Sequence, residues 1–335
     1  MRSLSVIVPA TDGPPTLGRC LEAIERAHDG PDEVIVVAEQ GLNGPAHARN
    51  VGAVRAEGAL LAFVDADVAV HPDAFARIRA AFDADPDLTV LFGSYDDAPA
   101  AKGVVSGFRN LLHHHVHQSS PGEAMTFWAG LGAVGRNTFE ECGGFDGNRF
   151  PHASIEDVEL GMRLAASGRR CVLDPAIQGT HLKAWTLRSM IHTDFRHRAV
   201  PWTLLLLRAG GDGAQARRVL NLGPRHRASA GLAVVAALAV PARRPVLSAA
   251  AFGTMVCLNR ELYRLIARRR GRIQATLGVG LHAVHHLTAA AAVPVAAMIF
   301  GGERLRSLER APLSYGPIVM AVRPRAPRAQ VEQPV

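Results

Sequence analysis

The sequence predicts an α/β protein: a mainly parallel sheet with helices on both faces, followed by C-terminal apolar membrane helices. Three observations carry that expectation. Over the first hundred residues, short β-rich apolar runs alternate with stretches whose apolar positions recur at helical spacing, the order of βαβ units. Beyond residue 225 the composition turns apolar and Arg-rich. The whole chain, 335 residues with 48% hydrophobic and 20% charged side chains, is too apolar to be disordered and suits one large or two modest domains. Its 32 Gly and 21 Pro follow no period, which excludes collagen-like repeats. Cys20, Cys142, Cys171 and Cys257 lie far apart without a CxxC. That excludes a zinc ribbon, disfavours a disulfide framework and fits a reducing compartment. The apolar run after Met1-Arg2-Ser3 stops at Pro9, too short for a signal-peptide core.

The elements follow in order. Leu4–Val8 is a β-rich run closed by Pro9. Pro14-Pro15 opens a helix with Leu17, Leu21 and Ile24 on one face, and Gly30 stops it. Val34–Val37 is a second buried strand. Gly44-Pro45 opens a helix through Ala56, with Gly58 as its C-cap. Leu60–Val64 is the third strand, Pro72-Asp73 opens a helix through Phe82, and Thr89–Phe92 is the fourth strand. Ligands of such sheets bind at the carboxyl ends of the strands, so the loops after Val8, Val37 and Val64 are where chemistry is expected.

Residues 103–118 read as a helix carrying His113, His114, His115 and His117. Consecutive positions point around a helix, so a partly exposed or interfacial helix is favoured over a metal cluster. Residues 126–135 are apolar, Gly-rich and strand-like, suited to close approach of a ligand or another backbone. Asn137–Glu141 reads as a short helix, Gly143-Gly144-Phe145-Asp146 as a turn, Ser154–Ser167 as a helix and Cys171–Leu173 as a short strand.

The net charge of +7 hides an asymmetry: residues 225–335 hold sixteen Arg and four Glu, or +12, and the remainder carries −5. Basic runs beside apolar runs point to an anionic membrane face. No zinc-finger, homeodomain or RRM signature accompanies the charge, so nucleic acid is not expected as a partner. Ala228–Val240 and Val246–Leu258 are apolar runs separated by Pro241–Pro245, each shorter than the roughly 20 residues of a spanning helix. They suit either a spanning pair or a re-entrant hairpin. Ala275–Phe300 is long enough to span, while His282, His285, His286 and Pro294 equally suit an interfacial helix. The basic flanks place the catalytic portion on the cytoplasmic side.

The sharpest local feature is Asp65-Ala66-Asp67 at the end of a buried strand. Carboxylates at i and i+2 share a side, and two hard oxygens suit Mg²⁺ or Mn²⁺, which would bind a diphosphate. A strand-end turn is the plainer alternative. Asp157, in Ser154-Ile-Glu-Asp157, reads either as part of a capping box or as a general base that the helix N-terminus keeps ionised at neutral pH. His181, in Gly179-Thr-His181, taken alone is more often structural than a ligand.

Ser5-Val-Ile-Val-Pro9, Asp32-Glu-Val-Ile-Val-Val37, Gly44-Pro-Ala-His-Ala-Arg-Asn-Val-Gly52, Phe63-Val-Asp-Ala-Asp67, Gly143-Gly-Phe-Asp146 and Ile155-Glu-Asp-Val-Glu-Leu-Gly-Met-Arg-Leu164 stand in one order. Together they resemble glycosyltransferase family 2, the inverting transferases of GT-A fold (a Rossmann-like nucleotide-diphospho-sugar transferase fold), over about residues 3–205. The apolar tail resembles that of membrane-attached bacterial members. The resemblance implies a catalytic unit over 1–205 and a membrane-associated helical region over 206–310; the remaining tail, 311–335, reads as disordered. It implies an NDP-sugar donor, a lipid-linked or glycan acceptor, a divalent metal (Mn²⁺ or Mg²⁺) and a place at the cell membrane. Donor-binding positions would be Pro9, Ala10, Glu39, Arg49, Asn50, Asp65 and Asp67. Ala38-Glu39 departs from the two acidic residues usual in the family. Asp67, Asp65 and His181 match the metal positions, Asp65 lying nearer the ribose. Trp128, Gly130 and Glu156 would face the acceptor, and Asp157 would deprotonate its hydroxyl for a single inverting displacement. Asp194–Trp202 stands where processive synthases carry Gln-x-x-Arg-Trp, which is absent; single-sugar transfer is therefore expected. Two alternatives stay open. A nucleotidyltransferase is disfavoured because Pro9–Gly13 holds no Lys or Arg. A non-catalytic membrane scaffold is disfavoured by the intact Asp65, Asp67, Asp157 and His181, though Ala38 slightly favours it.

Overall fold

The computed structural model describes residues 2–39, 41–42, 44–210 and 223–307. The tail expected to be disordered, 311–335, lies outside the described residues. The strands are β1 (Leu4–Pro9), β2 (Glu33–Val37), β3 (Leu60–Val64), β4 (Val68–Val70), β5 (Leu88–Tyr95), β6 (Gly122–Glu123), β7 (Leu131–Gly135) and β8 (Arg170–His181). They form one sheet in the order β2-β1-β3-β7-β5-β8-β4, with β6 paired to β8. β1 runs parallel to β2 and β3, and β5 parallel to β8. β7 is wedged antiparallel between β3 and β5, and β4 closes the edge antiparallel to β8. The sheet is thus mixed, with the parallel pairs that the alternation of elements predicts.

The helices of this part are α1 (Leu17–Glu25), α2 (Gly44–Arg55), α3 (Ala74–Ala84), α4 (Val104–Gln118), α5 (Arg136–Glu141), α6 (Glu156–Ala166), α7 (Leu187–His192) and α8 (Val200–Arg208), with a π-helical segment at Thr193–Ala199. β1 shows why both sheet faces are covered. Leu4, Val6 and Val8 belong to a core under α1 and α3 with Phe75 and Phe82. Ile7 turns to the opposite core, with Phe63, Phe127, Phe139 and Phe145. A strand buried on both faces reads as an unbroken apolar run, as β1 and β3 do.

Two expectations needed correction. The short strand expected at Cys171–Leu173 is the start of the twelve-residue β8, which runs on to His181. The strand expected over 126–135 begins only at Leu131. The preceding residues form a loop whose backbone bonds to the carboxylate-bearing segments: Asp65 N donates to Gly130 O (3.1 Å) and Ala129 N to Asp157 Oδ2 (3.2 Å).

The C-terminal helices are α9 (Pro224–Ala239), α10 (Pro245–Leu258), α11 (Arg260–Arg270) and α12 (Arg272–Ser307). Proline opens α9 and α10, where its missing N–H costs nothing. These two helices pair as an antiparallel hairpin: Ser248 Oγ donates to Ala236 O (2.9 Å) and Asn259 Nδ2 to Ser229 Oγ (2.8 Å). At 1.5 Å per residue, α12 is about 54 Å long. Among the described residues it is the one helix long and apolar enough to cross a membrane. A third core joins these helices to the sheet domain, with Phe108 and Leu111 of α4 against Leu262, Tyr263 and Ile266 of α11. His282 and His286 are 3% and 1% exposed, so they pack inside protein and not among headgroups.

Candidate active site

β3 is buried along its length and ends at Val64, so Asp65-Ala66-Asp67 leaves the sheet at its rim. Val68 N closes a turn on Asp65 O (2.9 Å), and Leu182 N donates to Asp67 O (2.8 Å), which ties the segment to the end of β8.

Arg49 links this segment to α6. It is 3% exposed. Its Nη2 lies 2.6 Å from Asp65 Oδ1 and its Nη1 2.9 Å from Glu156 Oε1. The guanidinium also lies 5.3 Å from the centre of the Phe145 ring, a cation–π distance. Burial works against the Arg49 charge, but Asp65, Glu156 and Asp157 outweigh it and hold the guanidinium more firmly protonated than usual. Burial pushes the Asp65 carboxyl up, and Arg49 only partly offsets this.

Asp67 moves the other way. Burial alone would raise it, but His181 and Lys183 hold it below the usual carboxylate range. His181 Nε2 is 3.7 Å from Asp67 Oδ2, and Lys183 Nζ is 4.0 Å from the same oxygen. His181 is 5% exposed, with its ring stacked on Tyr95 at 4.3 Å. The Asp67–His181 gap is longer than a hydrogen bond, yet short enough for one cation to touch both atoms. The carboxylate oxygens of this segment suit Mn²⁺ or Mg²⁺, with the His181 nitrogen as one further ligand within reach.

Asp157 stands in the first turn of α6. Its Oδ2 accepts from Ala129 N (3.2 Å) and its Oδ1 from Val158 N (2.8 Å). The helix-end argument expects a lowered pKa, and the structure corrects it. Burial, then the neighbouring Glu156, push the Asp157 carboxyl up to about 7, against the opposing pull of Arg49. The capping box is corrected as well. Ile155 is the N-cap, without a side-chain bond, and Ser154 Oγ donates to His197 O (2.7 Å). The helix is pressed onto the loop before β7: a Cβ at Gly161, one turn after Asp157, would run into the Phe127 backbone nitrogen. A Cβ at Gly130 would likewise strike the Trp128 ring. That ring packs against Tyr95 (4.8 Å) and His113 (4.7 Å).

The remaining expected positions divide. Pro9 and Ala10 are buried where β1 ends, and Ala10 N is bonded to Val37 O (2.8 Å). Glu39 is half-exposed and paired with Arg55 (2.6 Å). Asn50 is committed to the Gly-Gly-Phe turn: its Nδ2 donates to Phe145 O (2.8 Å) and its Oδ1 accepts from Phe145 N (2.9 Å). It therefore positions the ring on which Arg49 lies. In α4, His114 and His117 donate Nδ1–H to Tyr95 O and Gly93 O and brace β5, with no convergence on an ion.

Sequence reasoning missed Lys183 and the hub role of Arg49. Arg49 falls in register with the buried Ala46 and Ala53 of α2, and an Arg on a buried stripe demands carboxylate partners. Lys183 is one of only two lysines in an arginine-rich chain, two residues past His181.

A model of the family described as glycosyl transferase family group 2 matches residues 60–271, more than half of the chain. The match starts at β3 and takes in α9 to α11. No curated protein matches the chain. Among solved structures, the chain is similar to the mannosyltransferase PcManGT from Pyrobaculum calidifontis in complex with GDP-Man and Mn²⁺, at TM-score 0.41 and 18% identity over 92% of this chain and 81% of that one. It is similar to GalNAc-T7 with UDP, GalNAc and Mn²⁺, at TM-score 0.45 and 16% identity over 69% of this chain and 51% of that one. It is also similar to a mycobacterial protein, at TM-score 0.42 and 17% identity over 62% of this chain and 75% of that one.

Proposed function

The chain belongs to glycosyl transferase family group 2, of GT-A fold, and from that premise we propose that it moves a single sugar from an NDP-sugar to an acceptor hydroxyl, with inversion, at a membrane surface. One observation carries the reading: a single buried guanidinium, Arg49, joins Asp65 to Glu156, and Glu156 adjoins Asp157. Donor-side and acceptor-side carboxylates are thereby held in one rigid unit, which is what positional catalysis requires.

Asp157 takes the proton of the acceptor hydroxyl as that oxygen attacks the anomeric carbon. A carboxyl near 7 is half-ionised at neutral pH and a stronger base than an ordinary aspartate. One displacement needs only this one carboxylate on the acceptor side, whereas double-displacement enzymes need a nucleophile as well. Asp67 and His181 would hold Mn²⁺ or Mg²⁺, which when bound supplies positive charge to the departing diphosphate. Lys183, half-exposed, adds a second cation near the same carboxylate. Asp65, oriented by Arg49, is the acceptor for a ribose hydroxyl. Trp128 and the loop before β7 border the acceptor.

Membrane attachment is supported by the surface of the C-terminal helices. Val246 is 81% exposed, Met298 69% and Leu238 64%. Arg243, Arg244 and Arg268–Arg270 flank these apolar stretches. Lipid contact would cover the apolar side chains, and each Arg near an anionic headgroup is worth about 1 kcal/mol. The basic flanks favour a cytoplasmic catalytic part over residues 1–205, with 206–310 as the attached region. A lipid-linked or cell-envelope glycan acceptor would be met there.

A panel of NDP-sugars incubated with the full chain in detergent tests the reading. Release of nucleoside diphosphate from one donor, abolished by chelator and restored by Mn²⁺ or Mg²⁺, is the expected result. Pyrophosphate release from a nucleoside triphosphate would instead establish a nucleotidyltransferase. Ultracentrifugation of a detergent-free lysate tests attachment, which a chain left in the supernatant would overturn.

A further inference from the structure

Outside the active site, three histidines meet between α9 and α12. His226, in the first turn of α9, and His285 and His286, midway along α12, bring their ligand nitrogens within 4.8 Å of one another. We propose that His226, His285 and His286 bind a divalent transition-metal ion of the zinc class, which clamps the apolar α9–α10 hairpin to α12 and the catalytic domain.

Three features point to an ion rather than to packing. His286 is 1% exposed, and neither of its ring nitrogens has a hydrogen-bond partner. A buried imidazole left so is costly unless something else engages a nitrogen. His285 Nδ1 lies 2.9 Å from Asp194 Oδ2, and Arg109 Nη2 in turn lies 3.0 Å from Asp194 Oδ1. This carboxylate orients the ring and leaves Nε2 as the outward ligand, the supporting arrangement common behind metal-bound histidines. The donor set is also selective. Imidazoles suit zinc, nickel or copper, whereas Mg²⁺ and Mn²⁺ prefer oxygen.

Adjacent residues on a helix point about 100° apart. His285 and His286 therefore reach one ion only at the seam between their directions, and His226 of the neighbouring helix stands at that seam: its ring centre is 5.8 Å from that of His285 and 4.9 Å from that of His286. His282 packs on His286 at 4.2 Å, its Nδ1 held by the Tyr263 hydroxyl (2.9 Å). The site is separate from Asp67 and His181. An ion there fixes the hairpin relative to the Asp194 network, a structural role.

Cobalt(II) serves as a coloured probe for zinc. The full chain in detergent, carrying Asp67→Asn to silence the other metal position, is titrated with Co²⁺ and then with competing Zn²⁺. The expected result is one equivalent of Co²⁺ with the visible bands of a low-coordinate nitrogen site, displaced by Zn²⁺ and not by Mg²⁺. Zn²⁺ should also raise the unfolding temperature. His226→Ala, half-buried at a helix start, should weaken binding at least tenfold and abolish the thermal shift. His286→Ala should do the same, and should it fail to fold, His226→Ala still decides. Equal Co²⁺ binding by His226→Ala and its parent, or only weak non-saturating binding, overturns the proposal.

Discussion

Asp157→Asn separates a catalytic base from a carboxylate that only braces the start of α6, because the two roles predict opposite stability changes. The Asp157 carboxyl is raised from 3.8 to about 7, first by burial and then by Glu156. A shift of that size makes the ionised form unfavourable in the native state by about 4 kcal/mol at most. The unfolded chain ionises at the lower value, so between about pH 4 and 7 it holds fewer protons than the native state. Stability contributed by the protonated form is complete below about pH 4 and is lost as pH rises through 7. An amide at this position never ionises; like the protonated carboxyl, it keeps one carbonyl oxygen to accept from Ala129 N or Val158 N and turns a donor toward the other. Asp157→Asn should match the wild type near pH 4 and be more stable by about 1–3 kcal/mol near pH 8, as urea unfolding of the detergent-solubilised chain would show. Transfer at pH 8 should fall by about 10²–10⁴-fold. In the wild type, kcat/KM should rise with pH and level off above about 7. A mutant that loses about 0.5–2 kcal/mol and keeps its turnover refutes the reasoning in favour of a structural role for the bonds to Ala129 N and Val158 N.

Other perturbations probe the surrounding geometry. Arg49→Met leaves Asp65 and Glu156 without their cation; urea midpoints at neutral pH should show a loss of about 3–5 kcal/mol that shrinks in acid as the carboxylates protonate. Gly161→Ala forces α6 off the loop at Phe127 and moves Asp157; kcat should fall by about 10²-fold with donor affinity nearly unchanged, read by steady-state kinetics and calorimetry. Asp67→Asn should cost donor affinity about tenfold or more in Mn²⁺ and nothing in chelator, by isothermal titration.

Much of this arrangement is legible in the sequence, and what is not has a physical cause. β1 and β3 are unbroken apolar runs because both faces are buried, so the sheet core and the carboxylates ending it are visible at once. β4 and β6, of three and two residues, are too short to carry a period and exist through pairing with β8. β8 hides its length because its exposure alternates irregularly and its register shifts against β5. Family resemblance marked Asp65, Asp67, Asp157 and His181 as one set, but the electrostatics that tune them are not local. The Asp157 shift depends on Glu156 beside it and on Arg49 from a helix a hundred residues earlier. The cluster of His226, His285 and His286 joins two helices some sixty residues apart and shows in no single window of sequence.

The anomeric configuration of the product tests the central claim most directly. Proton NMR can follow the sugar released or transferred from a defined NDP-sugar in the first minutes, before mutarotation. A single displacement with Asp157 as the one base predicts a sugar of inverted configuration, lost in Asp157→Asn. A product of retained configuration, or inversion that persists undiminished in Asp157→Asn, would contradict it.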